Sequence, residues 1–368
     1  MRLSVLVMPV VVAAAAMTTA LAAPAGAYPP EPACGTTLTV DTSLRRDLAC
    51  PGDGLTLAPG VTLNLRGHTL SGSRTGTGLS VSAFGPVVVR NGTVAGWGTG
   101  IATLLEGEWE GVGSPLTVER VTFRDNHRGL DTTGLDGTGE YVKPTTVVRS
   151  TFDRNDEGLV AGWQTGAKVD RSTFVGNGVG AWSAGFSSVD IDRSRFEGNA
   201  TALRVYEAWA TVARSTFVDN TLGVTHTNLG AVTIADSRFA GGDVAVTASW
   251  DSDVAVSGST FTGSGTGVLM DVGIGTFERN TFTSNGIGFH LTVAGAGVVL
   301  RDNVFRANGD GILSDVDAPG LQLGGNTARR NTGWGIYAPG AVDLGGNTAR
   351  GNGRSPQCVG VVCATQAS

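Results

Sequence analysis

Lysine is almost missing from this chain: of 26 cationic residues only Lys143 and Lys168 are lysine. Charge of either sign is scarce. Charged residues make up 16 % of 368 positions, against about 25 % in an ordinary soluble domain. The balance is acidic, with a net charge of −6 and a pI near 5.3, which argues against general nucleic-acid binding. Net charge is too small, and the 41 % hydrophobic content too high, for a disordered chain. Proline is limited to 13 residues, and glycine falls far short of one residue in three, so collagen is excluded. No apolar run of about 18 residues follows residue 27, which removes a permanent membrane span from consideration.

Glycine is the abundant residue: 56 of 368, about twice the usual share. A long, glycine-rich, weakly charged chain points to repetitive all-β architecture. The first 27 residues stand apart. Arg2 is followed by the apolar stretch from Leu3 to Ala16 and by Ala25-Gly26-Ala27, the pattern of a secretory signal peptide cleaved before Tyr28. Export permits disulfides. Four cysteines allow three pairings. The local pairs Cys34–Cys50 and Cys358–Cys363 are expected, because the intervening repeat would hold other partners far apart. A zinc site is not expected from two pairs at opposite ends without nearby histidines.

The repeat is read from phenylalanine. Phe123, Phe152, Phe174, Phe196, Phe217, Phe239, Phe261, Phe282 and Phe305 are separated by 29, 22, 22, 21, 22, 22, 21 and 23 residues. Leu70 and Val94 extend the column before them, Ala328 and Ala349 after them, making 13 rungs. Five residues before each anchor runs an apolar column from Leu65 to Leu344. Seven residues after it runs another, from Ile101 to Ile312. Three residues after it stand Asn126, Asn155, Asn177, Asn199, Asn220, Asn285, Asn308, Asn331 and Asn352. Two residues before it, a serine column (Ser150 to Ser259) gives way to asparagine (Asn280 to Asn347).

Period-2 alternation around each apolar position, as in Val189-Asp190-Ile191-Asp192, is strand patterning. Glycine, serine and asparagine punctuate the strands, because bends need positive φ or side-chain hydrogen bonds to backbone. One coil cannot bury its own inward row, whereas coils stacked at about 4.8 Å can. In-register asparagines and serines can then form ladders at the turns. Residues 28–60 are expected to form an N-terminal cap and first coil, residues 61–356 the repeats, and residues 357–368 a C-terminal cap stapled by its disulfide.

Runs such as Val169-Asp170-Arg171-Ser172-Thr173-Phe174-Val175-Gly176-Asn177 and Leu323-Gly324-Gly325-Asn326-Thr327-Ala328 resemble the right-handed parallel β-helix of the pectate-lyase-like superfamily. The resemblance covers roughly residues 36 to 356. The opening Cys50-Pro51-Gly52-Asp53-Gly54 and Asn64-Leu65-Arg66-Gly67-His68-Thr69 is similar to secreted bacterial β-helix proteins of unassigned function. It implies a cleft over the outward face of the strand carrying the apolar column that starts at Leu65. Polygalacturonase and pectate-lyase catalytic motifs are absent, so no family catalytic residue carries over.

Candidate chemistry on that face is nevertheless visible. Lys168 and Asp170 should stack against Asp190 and Asp192 of the next coil. Two such carboxylates would split their pKa values or recruit a cation, which suits general acid–base work or a Ca²⁺ bound to Asp170, Asp190 and Asp192. No other cofactor is implied. In a lyase, Lys168 or a neighbouring arginine would take the C5 proton of a uronate; in a hydrolase, the carboxylates would be acid and base. Arg120, Arg149, Arg171, Arg193 and Arg214 form an adjoining column. It is either a comb for a polyanion or a row neutralised by Glu119, Asp170 and Asp192. Trp163, Trp182, Phe186, Tyr206, Trp209 and Trp250 cluster in the connection before the same strand. Two insertions nearby carry Glu106, Glu108, Trp109 and Glu110, then Asp136, Glu140, Tyr141 and Lys143. These features predict a secreted monomer that binds, and in the stronger form cleaves, an acidic polysaccharide or cell-surface glycan. The alternative is a non-catalytic binding or structural rod.

Overall fold

The computed structural model describes residues 31–82, 86–104, 116–133, 145–293 and 297–364. The described residues from 32 onward form one compact unit. Among the described residues every regular element is a strand, and every pairing is parallel to the strand one coil along. The architecture is a parallel β-solenoid. No helix among the described residues is long and apolar enough to cross a membrane.

A middle coil shows how the sequence builds one turn. The first strand is Gly166–Asp170, the second Thr173–Val175 and the third Val179–Ala184. They pair in register with Ser188–Asp192, Arg195–Glu197 and the first part of Thr201–Ala213. Residues alternate inward and outward as the pleat requires. Val169, Phe174 and Ala181 point inward and are buried, and the anchor repeats in every coil. From Phe123 to Phe305 the rings stack one above the next, with centroids 4.4 to 4.9 Å apart and nearly parallel planes. Burial of each such ring is worth about 2–3 kcal/mol. In the coil anchored by Val94, Trp97 takes the place of the asparagine three residues after the anchor, and its backbone N–H donates to the Asn126 Oδ1. It is fully buried, and its indole N–H donates to the Leu70 carbonyl at 3.2 Å.

The corners are held by ladders. In the column three residues after the anchor, a buried asparagine donates from Nδ2 to the Oδ1 of the next coil and to the carbonyl of the preceding coil's anchor, as Asn155 does to Asn177 and Phe123. The ladder runs from Asn126 to Asn220, breaks at Gly242, resumes at Ser264 and ends on Gln357. The serine column works similarly: the Ser172 N–H donates to the Ser194 Oγ, whose own hydroxyl donates to the Asp192 carbonyl.

Three sequence expectations change in detail. Glycine is not confined to bends. The column Gly129, Gly158 and Gly180 lies inside the third strand, where a Cβ would sit 2.4 to 2.5 Å from the next coil's carbonyl oxygen and against the stacked phenylalanines. Conversely, left-handed corners are often not glycine: Arg120, Arg149, Arg171, Arg193 and Arg214 all have φ between 46° and 53°. Finally, Leu344 leaves the apolar column. The pairing slips between Leu323 and Gly324, and Leu344 turns out to 40 % exposure.

Both ends are stapled as expected. Cys34 is bonded to Cys50 and Cys358 to Cys363. At the N-terminal side Thr37–Leu38, Thr42–Ser43 and Leu48–Ala49 already pair with the following coil.

Candidate functional site

The carboxylate face lies on the first strands of two coils. Lys168 is in register with Asp190, and Asp170 with Asp192. Lys168 and Asp190 are exposed, and neither forms an ion pair among the described residues. Asp170 and Asp192 are each gripped by two guanidinium groups. Asp170 meets Arg171 at 3.1 Å and Arg193 at 2.7 Å; Asp192 meets Arg193 at 3.0 Å and Arg214 at 2.7 Å. The hydrogen bond from Arg214, supported by the charges of Arg193 and Arg214, holds the Asp192 carboxyl below the usual range, against a smaller opposing effect of burial.

The arginine column is therefore a staircase of alternating charge. The left-handed conformation at the corner turns each arginine back over its coil, within reach of the carboxylate one residue earlier or one coil below. Arg120 follows the same rule through Glu119. Arg149 has Val148 beside it and no ion-pair partner among the described residues. A calcium ion at Asp170 or Asp192 would have to compete with two guanidinium groups, and the depressed pKa of Asp192 is the reverse of what a general acid needs. Among the described residues no group of three or more His, Cys, Asp or Glu is arranged to hold a metal.

The third corner, between the third strand and the next first strand, carries the aromatics. Trp163 is 62 % exposed, Phe186 45 %, Tyr206 42 %, Trp209 43 % and Trp250 65 %. They fall in successive coils, with Tyr206 and Trp209 sharing one, and Leu229, also exposed, takes the place in the coil between Trp209 and Trp250. Ile274 and Val293 continue the line. The ridge from Trp163 to Trp250 spans four coil steps, about 19 Å. Phe186 and Trp209 lie 6.3 Å apart, tilted. Trp163, Phe186 and Trp250 have φ of 45°, 61° and 55°, a region that bulky side chains adopt only at a cost. Trp182 sits lower, half-buried on the third strand, with the Arg204 guanidinium 5.9 Å from its ring. Charges of both signs border the ridge: Lys168 and Arg204, Glu207, Asp251 and Asp253. Leu229, Ile274 and Val293 escaped the sequence reading, because only the corner's position in the fold shows that they are outside.

Among the described residues no loop walls flank these faces in the middle coils. The strands Thr201–Ala213 and Leu222–Ala235 run through the third corner without interruption, so the described surface is an open face. Trp109, Tyr141, Lys143 and the other insertion residues lie outside the described residues, as does the 1–27 leader.

The family model described as right handed beta helix region matches residues 177–328 and residues 222–368. Together these spans exceed half of the chain. The chain belongs to the right-handed β-helix family. No curated protein matches it. In this β-helix the family supplies the scaffold, and the distinguishing features are what its outward columns carry.

Proposed function

We propose that this β-helix protein is an extracellular polysaccharide-binding module, and that the sugar chain lies along the aromatic ridge of the third corner. The observation that carries the reading is the combination of exposure and strain. Trp163, Phe186 and Trp250 bury little surface and occupy a backbone conformation that glycine or asparagine would adopt more easily. Neither core packing nor turn formation accounts for them. Exposed, rigid rings at regular spacing suit the apolar faces of successive sugars, because aromatic side chains provide large contact area at low entropic cost. The ridge runs parallel to the solenoid axis, so a linear glycan can meet several rings at once.

Binding is favoured over cleavage by the state of the carboxylates. Asp170 and Asp192 are engaged by arginines, and Asp192 stays ionised to lower pH than a free aspartate. The lyase and hydrolase schemes both require a carboxylate or cation site that is less committed.

Affinity electrophoresis of the exported chain in gels containing neutral or acidic glycans tests the proposal. Retardation is expected, and the triple variant Trp163→Ala, Trp209→Ala, Trp250→Ala should lose it by more than tenfold. Equal retardation of the variant, or none for the wild type, refutes the ridge. In parallel, incubation with polygalacturonate and alginate should release neither unsaturated ends nor reducing sugar. Products that disappear with Asp170→Asn or Asp192→Asn would restore the catalytic reading.

A further inference from the structure

The last coils carry a second charged column that differs from the arginine staircase. Arg306, Arg329 and Arg350 are register partners on the outward face of three successive second strands, Val304–Arg306, Thr327–Arg329 and Thr348–Arg350. Arg330, at the adjoining left-handed corner (φ 55°), joins them. The four arginines and Gly351 line a cavity of about 280 Å³. A neighbouring cavity of about 420 Å³ shares Arg329 and Arg350.

Among the described residues none of the four has an ion-pair partner. Earlier in the same column charge is answered locally: Asp153 by Arg154 at 2.9 Å, Glu197 by Arg195 at 2.9 Å. Nearby acids of the last coils are used elsewhere. Asp310 accepts the Trp334 backbone N–H, Asp315 meets His290, and Asp343 accepts the N–H groups of Gly345 and Val362. The Arg329 Nε is buried without any hydrogen-bond partner, a state that calls for an acceptor. Like charges stacked at rung spacing repel, so the uncomplexed column is unfavourable by construction.

We infer that Arg306, Arg329, Arg330 and Arg350 form a binding site for the carboxylate or sulfate groups of an acidic polysaccharide running along the solenoid axis. Guanidinium forks match planar oxyanions with paired hydrogen bonds. Three of them at one coil spacing follow a chain that presents an acid group on successive sugars, whereas a single small anion engages only part of the column. The protein's net charge of −6 and the short length of the column disfavour a nucleic-acid duplex, which needs a broad basic face. This inference deepens the polysaccharide reading and shares with it only the ligand class, because the column lies on the second strands and the ridge on the third corner.

The test compares binding of polygalacturonate, uncharged dextran, inorganic sulfate and duplex DNA to the exported chain, by isothermal titration at two salt concentrations. Polygalacturonate should bind with an affinity that falls with salt, and the variant Arg306→Gln, Arg329→Gln, Arg350→Gln should weaken it at least tenfold. The control Arg193→Gln, Arg214→Gln, whose arginines are already paired, should bind as wild type. Without ligand at low salt, the triple glutamine variant should melt at the same temperature as wild type or higher. Unchanged polygalacturonate affinity in that variant, absence of polygalacturonate binding by wild type, sulfate binding as tight as the polymer's, or tighter binding of DNA each overturns the inference. Loss of ridge binding alone leaves it standing.

Discussion

Asn177 donates from Nδ2 to the Oδ1 of Asn199 at 2.9 Å, while its own Oδ1 accepts both the backbone N–H and the Nδ2 of Asn155. One amide therefore satisfies donors and acceptors in three coils. Asn177→Ala strands the Asn155 donors and the Phe152 carbonyl, which also depends on it. With about 1–3 kcal/mol for each buried unsatisfied group, the loss should be on the order of 3 kcal/mol. Asn177→Ser should cost less, since Ser264 occupies this column natively and donates to a backbone carbonyl. Urea midpoints measure both; an alanine variant as stable as wild type would show that the ladder contributes no net stability.

Acid sensitivity should come in two windows. His226 points into the core, is 1 % exposed, and neither ring nitrogen has a hydrogen-bond partner. Burial pushes its pKa down, opposed only in part by the Leu229 and Asp253 backbone and the Asp253 charge. The unfolded chain thus binds a proton first, and stability should fall as pH drops below about 6.5, the unfolded value. His226→Leu, a residue found at the same inward position in Leu291, should flatten that slope. Asp192 acts lower. Its depressed pKa contributes stability that is complete above the unfolded aspartate value, about 4, and is lost as pH falls through the native one. Asp192→Asn should therefore be less stable than wild type at neutral pH and converge with it in strong acid. Melting temperatures from pH 8 to 2 check both signs; a His226→Leu profile superimposable on wild type would refute the first.

Two glycines with positive φ should respond differently to alanine. At Gly230 a Cβ would sit 1.9 Å from the Ala208 carbonyl oxygen, whereas at Gly198 nothing lies within 4 Å. Gly198→Ala should cost only the left-handed penalty, about 1 kcal/mol. Gly230→Ala must displace backbone and should cost at least twice as much. Similar denaturation midpoints for the two would contradict the close approach.

The ridge predicts a conflict between stability and binding. Trp163→Gly and Trp250→Gly relieve a left-handed tryptophan at an exposed corner and should leave the melting temperature equal or higher, while reducing glycan retention. A drop of several degrees would mean that the rings support the fold.

Much of this was legible in the sequence because the solenoid converts periodicity directly into neighbours. The phenylalanine, asparagine and serine columns become stacks because equal offsets in successive coils are register partners, as Phe174 and Phe196 are. What offsets do not reveal is which way an arginine bends. Arg193 and Arg306 both stand in regular outward columns. Only the corner conformation and the acids within reach show that Arg193 is neutralised by Asp170 and Asp192, while Arg306 is not neutralised at all. His226 shows the same limit. No column marks it in the sequence, and only strand alternation turns it inward between Val205 and Ala248.

The interruption of the amide ladder at Gly242 has a mechanical meaning. A side chain there is blocked, because a Cβ would lie 1.9 Å from the Asn220 carbonyl oxygen, and a small void borders Phe217, Asn220 and Phe239. Coils interact only with their neighbours, so unravelling propagates one interface at a time. The asparagine column contributes nothing across this one. A molecule pulled apart along its axis would part first between the Phe217 and Phe239 rungs, leaving two zippered blocks, each still closed by its own disulfide.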